Sequence, residues 1–352
     1  MQRKVYTTVL VGLTVLIVAN AAEARRPSWG GHAAVAVSPD GETIAVGGAG
    51  RTLYIVDAAT MQVTDRHWHG PQIGAVAFNA DGSVLIIEDE TRTLHLLDSG
   101  SRSNIRSIKD ADYMSLSKAG DRMAVLTGRG RKLAVLSTMD WKAVVEIELP
   151  DGFRHGGHVL HPEGGRVAIL TQAFDHPVEE DVEPPADLPD GHGRLFQDGK
   201  ASRLLTYDAD NGQLLADHTL WYTSQGPDRT SLAFLQDEII VFNYNAVNVR
   251  VDGQGRIHPL EGFPRFGYGR GISADHSQLI TGSLASGAIG LLSADDFHVT
   301  KFAVANRVPG WPEYFAGFAF AADGESVYGV TSAFRLIHIQ SDGKIIAETP
   351  VY

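Results

Sequence analysis

The sequence predicts an all-β fold made of seven copies of one four-stranded unit, and three observations support this prediction. The chain has 352 residues, of which 43% are hydrophobic, which is enough apolar side chain for a sizeable core. One short motif recurs along nearly the whole chain with a period of roughly forty residues. The clearest copies end in Asp-Gly, which is typical of a tight hairpin turn between two strands.

Each unit begins with an apolar run that leads into the turn. The clearest copies read Ala-Val-Ala-Val-Ser-Pro-Asp-Gly at 34–41 and Ala-Val-Ala-Phe-Asn-Ala-Asp-Gly at 75–82. Looser copies lie at 114–120, 158–164, 232–237, 271–275 and 318–324. A second β-rich run follows each turn, at 43–46, 84–87, 123–126, 167–170, 238–242, 279–281 and 327–330. A third run ends near an acidic or small residue, as at 53–57, 94–98 and 204–208, and a fourth, more polar run closes the unit.

The first run of each unit alternates between large and small residues. Three positions before the turn aspartate the copies carry the large residues Val37, Phe78, Leu116, Leu160, Phe234, Ile272 and Phe320. One position earlier they carry the mostly small residues Ala36, Ala77, Ser115, Val159, Ala233, Gly271 and Ala319. Sheets stacked around a common axis need this alternation, because they are buried on both faces and crowd together at the centre.

Seven such units account for nearly all of 32–352 and leave no room for a second domain. The sequence therefore predicts a single seven-bladed β-propeller of four-stranded antiparallel blades over 25–352. The copies run in phase from the first unit to the last, and no N-terminal strand is left over to complete the last blade. We therefore expect the ring to close by face packing of the first blade against the last.

This pattern resembles the WD40 and YVTN-type propellers, especially the bacterial exported variety with Ser-Pro-Asp-Gly turns that is seen in quinoprotein amine dehydrogenase β chain-like proteins. The Trp-Asp pair that names the WD40 family is absent from the third runs, which have Val56-Asp57, Leu97-Asp98, Leu136-Ser137 and Tyr207-Asp208. The resemblance implies the fold. It also suggests an enzyme-related alternative, since relatives include amine dehydrogenase chains whose partner bears the cofactor, and lactonases.

Residues 1–24 have the pattern of a signal peptide. Arg3 and Lys4 precede an apolar run over 5–18, and Ala22-Glu23-Ala24 supplies small residues for cleavage. The run is too short and too diluted by polar residues for a bilayer span, so we expect cleavage and no membrane span in the mature chain. A periplasmic or secreted location follows from this prediction.

Composition excludes several classes of function. The chain has 30 Lys and Arg against 42 Asp and Glu, a net charge of -12, and no basic patch, which argues against a nucleic-acid partner. It has no Cys, so disulfides, thiol nucleophiles and thiolate metal sites are excluded. The usual catalytic motifs of hydrolases, zinc proteases and nucleotide-binding loops are also missing, so catalysis by this chain is not the favoured reading.

Two features break the repeat. Five positions before the turn aspartate, five apolar residues are interrupted by His158 and Arg270, which the repeat places on innermost strands near the central channel. In the fourth unit, the connection between the second and third runs grows to an acidic, proline-containing loop over 173–202. Alternation of strand direction places this loop on the same face as the blade-to-blade connections, which also carry several histidines.

These departures give the candidate sites. The residues that we expect to bind a ligand at the channel and its mouth are His32, His69, His158, Arg270, Trp311 and Tyr314. The hypothetical metal ligands are His155, His158, Asp175 and His176. Imidazole and carboxylate without thiol suit zinc or copper, the cofactors that the sequence allows.

Three functions remain open from the sequence. The first is a non-catalytic exported binding or scaffold protein that engages another exported protein through 173–202 and its top face. The second is periplasmic metal binding or chaperoning, a role that resembles that of zinc-chaperone propellers. The third is a subunit of an amine dehydrogenase-like enzyme or a lactonase, and any quinone or haem would then come from elsewhere.

Overall fold

The computed structural model describes residues 32–151, 154–172, 202–220, 232–242, 248–260, 262, 267–283, 288–303 and 313–352. The predicted signal peptide at 1–24 lies outside these residues. Within them the secondary structure is β-strand, apart from one short 3₁₀ turn at Gly128–Gly130. In this part of the chain, no helix is long and apolar enough to cross a membrane.

The described strands form seven four-stranded sheets, which confirms the predicted seven-bladed propeller. Blades 1 to 4 consist of β1 (His32–Val37), β2 (Thr43–Gly48), β3 (Thr52–Asp57), β4 (Val63–Trp68), β5 (Ile73–Phe78), β6 (Val84–Asp89), β7 (Thr93–Asp98), β8 (Asn104–Lys109), β9 (Asp112–Leu116), β10 (Arg122–Thr127), β11 (Lys132–Ser137), β12 (Ala143–Glu148), β13 (Arg154–Leu160), β14 (Arg166–Gln172), β15 (Arg203–Asp208) and β16 (Leu214–Thr219). Blades 5 to 7 consist of β17 (Leu232–Leu235), β18 (Glu238–Val241), β19 (Val249–Val251), β20 (Ile257–Pro259), β21 (Gly267–Ile272), β22 (Gln278–Ser283), β23 (Ala288–Ser293), β24 (Val299–Ala303), β25 (Phe315–Phe320), β26 (Ser326–Thr331), β27 (Arg335–Gln340) and β28 (Ile345–Pro350).

The Asp-Gly turns join the first and second strand of a blade as the sequence predicts. Gly41 and Gly82 have φ angles of 76° and 72°, in the left-handed region that glycine adopts without strain. In the first turn, Asp40 accepts a hydrogen bond from Ser38 and one from the Glu42 N–H, which lowers the pKa of Asp40. The turn therefore satisfies its own carboxylate and fixes the register of β1 against β2.

Every described blade is built in the same phase, with its four consecutive strands paired antiparallel in chain order. Among the described residues no hydrogen-bonded ladder joins blade 7 to blade 1, and the two blades pack against each other through side chains. Ile44 and Val46 of blade 1 share a buried core with Tyr328, Val330 and Leu336 of blade 7. The arrangement is the face packing that the absence of a spare strand led us to expect.

Crowding around the innermost strands, between blades at Gly271 and within blade 7 at Gly329, explains two glycines. A Cβ on Gly271 would lie 2.9 Å from the carbonyl oxygen of Phe318, and one on Gly329 would lie 2.6 Å from the Phe315 ring. Both separations are too short for a real Cβ contact. The glycine at 271 therefore permits close approach of two innermost strands, which agrees with the alternation of large and small residues in the sequence.

Candidate functional site

The innermost strands of all seven blades surround a cavity of about 670 Å³ along the propeller axis. Each blade contributes the equivalent position of its first strand to the lining. These residues are Val35, Val76, Met114, His158, Leu232, Arg270 and Phe318. The lining combines apolar residues with several polar ones, and a cavity of this volume is typical of ligand pockets. The structure thus places His158 and Arg270 along the channel, where the broken repeat predicted them.

Arg270 is the cation that lies within the cavity wall rather than at its end. It sits on β21 opposite Thr281 of β22, and its guanidinium carbon is 3.5 Å from the centroid of the Phe242 ring of blade 5. An arginine stacked on an aromatic ring is held in one orientation while its charge remains. Arg270 is partly exposed and contributes to the lining of the channel.

The charge of the cavity lining is opposite to that of the whole chain. Arg270 and Lys118 line it, and no Asp or Glu does so in the part of the chain that the structure describes. The nearby turn carboxylates are engaged elsewhere. Asp275 accepts hydrogen bonds from the hydroxyls of Ser273 and Ser277, which lower its pKa to about 2. The channel is therefore lined by apolar and neutral polar residues together with two cationic side chains, in a chain of net charge -12.

His155 and His158 lie together in the packing between blades 3 and 4. Nε2 of His155 is 2.8 Å from Nδ1 of His158, and Nε2 of His158 is 3.3 Å from the carbonyl oxygen of Ala124 on β10. The His155 ring also contacts the Tyr113 ring, with 5.3 Å between centroids. Both imidazoles are buried. The structure therefore joins two of the four predicted metal ligands by a hydrogen bond.

One arrangement of protons satisfies this chain of contacts. Nε2–H of His158 donates to Ala124, so Nδ1 of His158 must accept from Nε2–H of His155. Burial lowers the pKa of both residues, that of His158 to about 4, and keeps both rings neutral near pH 7. Nδ1 of His155 then has a lone pair, and it has no hydrogen-bond partner among the described residues.

This geometry limits the predicted metal site. Three of the four ring nitrogens of the pair are in hydrogen bonds, so an ion bound by both rings would have to displace one of these bonds. Asp175 and His176 lie outside the described residues. The four-ligand hypothesis therefore stays a prediction, and Nδ1 of His155 is the ring nitrogen of the pair that is open to a ligand.

A second histidine cluster lies between blades 1 and 2. His69 belongs to the connection from β4 to β5, Asp89 ends β6, and His95 is on β7. Nε2 of His69 is 3.2 Å and Nε2 of His95 is 2.9 Å from Oδ2 of Asp89. The imidazole rings meet edge to face with 4.7 Å between centroids. Three potential metal ligands from three chain segments thus converge on one point.

Further hydrogen bonds fix the orientation of this cluster. Oδ1 of Asp89 accepts from the N–H of Thr91 at 2.8 Å and from its hydroxyl, while Nδ1 of His95 is 3.2 Å from Oγ of Ser107. Burial opposes ionisation of Asp89, but the bonds from Thr91 and His95 outweigh it and lower its pKa. Burial and the neighbouring His95 lower the pKa of His69. The cluster is therefore a carboxylate between two imidazoles.

Blade 7 has a buried polar cluster near the equivalent strand positions. It contains a carboxylate and a guanidinium instead of a carboxylate and two imidazoles. Glu313 precedes β25 and accepts hydrogen bonds from Nε of Arg335 at 2.8 Å, from its terminal nitrogen at 2.7 Å and from Thr331 at 2.6 Å. A second terminal nitrogen of Arg335 donates to the more exposed Glu348. This buried ion pair joins the blade connection to the second and third strands of blade 7.

The remaining predicted ligand-binding residues are placed as follows. His32 begins β1, where its side chain is not described, and Trp311 lies outside the described residues. Tyr314 precedes β25; it is half-buried, its N–H donates to Ser332, and burial raises its pKa. His69 contacts Asp89 and His95, so it belongs to a separate cluster from His155 and His158.

Sequence reasoning placed His69 among the ligand-binding candidates at the channel and did not single out Asp89 or His95, its partners in the structure. His95 could have been found from the third strand of each unit. The comparison of the seven units aligned only the first strands residue by residue. Pairing with the second strands shows that His95 occupies the position held elsewhere by Tyr54, Ala134, Leu205, Val249, Gly290 and Ile337. Of these, His95 is the one imidazole. Comparing all four strands of the repeat would therefore have found it.

The fold and these sites define a seven-bladed β-propeller with a positively charged channel and a histidine–aspartate cluster between two blades. No family model matches the sequence, and no curated protein matches it. Among solved structures the chain is similar to hydrazine synthase of Kuenenia stuttgartiensis, with a TM-score of 0.64 over 89% of this chain and 96% of that chain. The two are 15% identical, so the likeness concerns the fold alone.

Proposed function

We propose that this protein is an exported, non-catalytic binding propeller whose central channel accepts the ligand. The observation that supports this proposal is the cavity of about 670 Å³ to which all seven innermost strands contribute. A site built on seven packed sheets is rigid, so little ordering is required when a ligand enters. Export is the expectation from residues 1–24.

The chemistry of the lining specifies a class of ligand. The walls are mostly Val, Ala, Leu, Ile, Met and Phe, with Arg270 in the wall and Lys118 toward the hairpin turns. An apolar body with one anionic group would bury its chain against these walls and place its charge near the guanidinium. We therefore propose that an amphipathic organic anion, or an anionic segment of a partner, occupies the channel.

Arg270→Met tests this proposal with octanoate as the probe. Calorimetric titration is expected to show octanoate binding to the wild type and weaker binding or none for octylammonium, because the cavity holds positive charge. Arg270→Met should weaken octanoate binding by about 10- to 100-fold, the usual contribution of a hydrogen bond to a charged group. Arg106→Met, on the exposed outer strand β8, is the matched control and should bind as the wild type does. Equal binding of both probes would refute the assignment.

The acidic segment 173–202 provides a second contact for a partner in this proposal. It joins β14 to β15 and contains eight Asp and Glu residues against one Arg and one Lys. Topology places its two ends on the face of the blade-to-blade connections. Such a segment suits a basic surface on another exported protein, with attraction that salt screens.

Deletion of residues 175–200 is expected to abolish co-purification of that partner without unfolding the propeller. The melting temperature should change little, because the deletion leaves the ladders of blade 4 intact. Co-purification in 0.05 M and 0.5 M salt followed by circular dichroism of the purified variant checks both points. A variant that retains the partner would show that the segment is not the contact.

A further inference from the structure

The cluster of His69, Asp89 and His95 has the geometry of a metal site before any ion enters. Its ligand atoms lie within 4.8 Å of one another, and Oδ2 of Asp89 is 3.2 and 2.9 Å from the two Nε2 atoms. Around a tetrahedral zinc ion with bonds of about 2.0 to 2.2 Å, neighbouring ligand atoms are about 3.3 Å apart. Only small side-chain movements would therefore bring all three atoms onto one ion.

We propose that His69, Asp89 and His95 form a binding site for one divalent transition-metal ion of the zinc class. Nε2 of each imidazole and a carboxylate oxygen of Asp89 would be the ligands, and the fourth position would be open to water or to a ligand from a partner. This site is separate from the channel and from the pair His155 and His158. It uses two residues, Asp89 and His95, that the sequence comparison did not identify.

The donor set selects the class of ion. Two imidazole nitrogens and one carboxylate oxygen are borderline ligands that suit zinc, copper, cobalt or nickel, whereas calcium and magnesium prefer sites made wholly of oxygen. Copper(II) binds such sites more strongly than zinc in simple competition, so the discriminating comparison is with the hard ions. We therefore expect zinc to bind and magnesium and calcium at millimolar concentration to leave it bound.

The residues around the ligands are arranged as an outer shell. Thr91 holds Oδ1 of Asp89 through its N–H and hydroxyl, which leaves Oδ2 for the imidazoles or an ion. Ser107 contacts Nδ1 of His95, and Asn104 in turn donates to Ser107 at 3.2 Å. Outer contacts of this kind fix ring orientation in metal sites. Asp89 and His95 are therefore held in place by neighbouring residues of blade 2.

Metal binding would need no net gain or loss of protons by the three ligands, because each imidazole only changes its tautomer. In the metal-free protein both imidazoles donate Nε2–H to Asp89, and Ser107 donates its hydroxyl proton to Nδ1 of His95. Metal binding removes the proton from each Nε2, and each neutral ring takes one proton at Nδ1. His95 then donates Nδ1–H to Ser107, which changes from donor to acceptor.

The three side chains of the cluster differ in exposure to solvent, and the more exposed side offers a path for an ion. The side chain of Asp89 is fully buried and that of His69 is 6% exposed, whereas that of His95 is 24% exposed. A buried carboxylate strengthens attraction for a cation, because water screens it less. The ion would therefore approach past His95, and the open coordination position would face the same side.

The competing explanation is a metal-free tie between strands. Glu313, Thr331 and Arg335 make such a tie in blade 7, where the guanidinium supplies the positive charge. In blade 2 the side-chain partners of the Asp89 carboxylate are Thr91 and two imidazoles, with no arginine or lysine among its described contacts. A divalent ion would supply the positive charge, and the two explanations differ in whether zinc binds.

The test is calorimetric titration of zinc into the chain from residue 25, prepared without a histidine tag, together with elemental analysis. The expected result is one equivalent bound with micromolar or tighter affinity, weakened about 100-fold or more in Asp89→Asn and in His95→Gln. His258→Gln is the matched control, since His258 lies 3.0 Å from the single carboxylate of Asp252 on blade 5. That variant and Arg270→Met should bind zinc as the wild type does.

Several outcomes would overturn the proposal. One is the absence of zinc and copper binding at 0.1 mM, which would leave the cluster a metal-free tie. Another is zinc binding that survives in Asp89→Asn but is lost in His155→Ala, His158→Ala, which would place the ion at the site predicted from the sequence. X-ray absorption spectroscopy of the zinc-loaded wild type counts the imidazole ligands directly. This measurement does not depend on whether the variants fold. Two imidazoles in the coordination shell are expected, and any other number contradicts the assignment.

Discussion

Glu313→Gln is expected to lower the free energy of unfolding by about 3 kcal/mol, the range for breaking a buried ion pair by removal of one partner. The Glu313 side chain is 4% exposed and accepts two hydrogen bonds from Arg335, which is itself only 13% exposed. Loss of the carboxylate charge leaves the mostly buried guanidinium with Glu348 as its anionic partner among the described residues. Urea unfolding followed by circular dichroism measures the change.

Glu348→Gln is the matched control for this prediction, because it removes the other carboxylate from the same arginine. The Glu348 side chain is 47% exposed, so water replaces much of the lost interaction and the loss should stay below about 1 kcal/mol. If the two variants destabilise the protein equally, burial is not what makes the Glu313 contact strong. A larger effect of Glu348→Gln would contradict the expected ranking outright.

The free energy of unfolding is expected to fall by about 3 kcal/mol as the pH drops from 6.5 to 4, through His158 alone. Burial lowers the pKa of His158 from 6.5 to about 4 in the folded chain. Above pH 6.5 the residue is neutral in both states, so its contribution to stability is fully present. Between these values the unfolded state binds a proton that the folded state does not, and each pKa unit costs about 1.4 kcal/mol.

Urea unfolding at pH 7.5, 6.5, 5.5 and 4.5 checks this dependence. The variant His158→Gln removes the titrating ring and keeps an amide that can donate toward Ala124. It should be less stable than the wild type at pH 7.5, with a shallower fall in stability toward pH 4.5. An unchanged slope would assign the acid sensitivity to other histidines, of which the half-buried His276 also has a pKa lowered by burial.

The fold could be predicted because residues close together in the sequence determine each repeat. Asp-Gly pairs at positive φ specify hairpins, and alternation of large and small residues on the first strand specifies sheets stacked on both faces. Both signals are local in the sequence, and the alternation recurs in all seven copies while the Asp-Gly pair recurs in three, so a degenerate copy such as 232–237 is recognised by its position. The match of β17 to this copy illustrates that the period compensates for a weak motif.

The sites could be predicted only in part, because they depend on which residues face each other across blades. His158 and Arg270 could be placed at the channel because they occupy a first-strand position that faces the channel in every blade. The partner of His158 could not be predicted in the same way: Ala124 contributes a backbone carbonyl, which has no signature in the sequence. The pairing of His69 with Asp89 joins residues twenty positions apart through a connection whose path only the structure gives.

The in-phase construction of the ring has a consequence for how such a chain can change. No hydrogen-bonded ladder in the described part crosses from one blade to another, so each blade is topologically self-contained. An insertion such as 173–202 therefore lengthens one blade without disturbing the pairing of the other six. By the same reasoning, duplication or loss of a whole blade would alter the circumference of the ring and the width of its channel, while every surviving ladder kept its register.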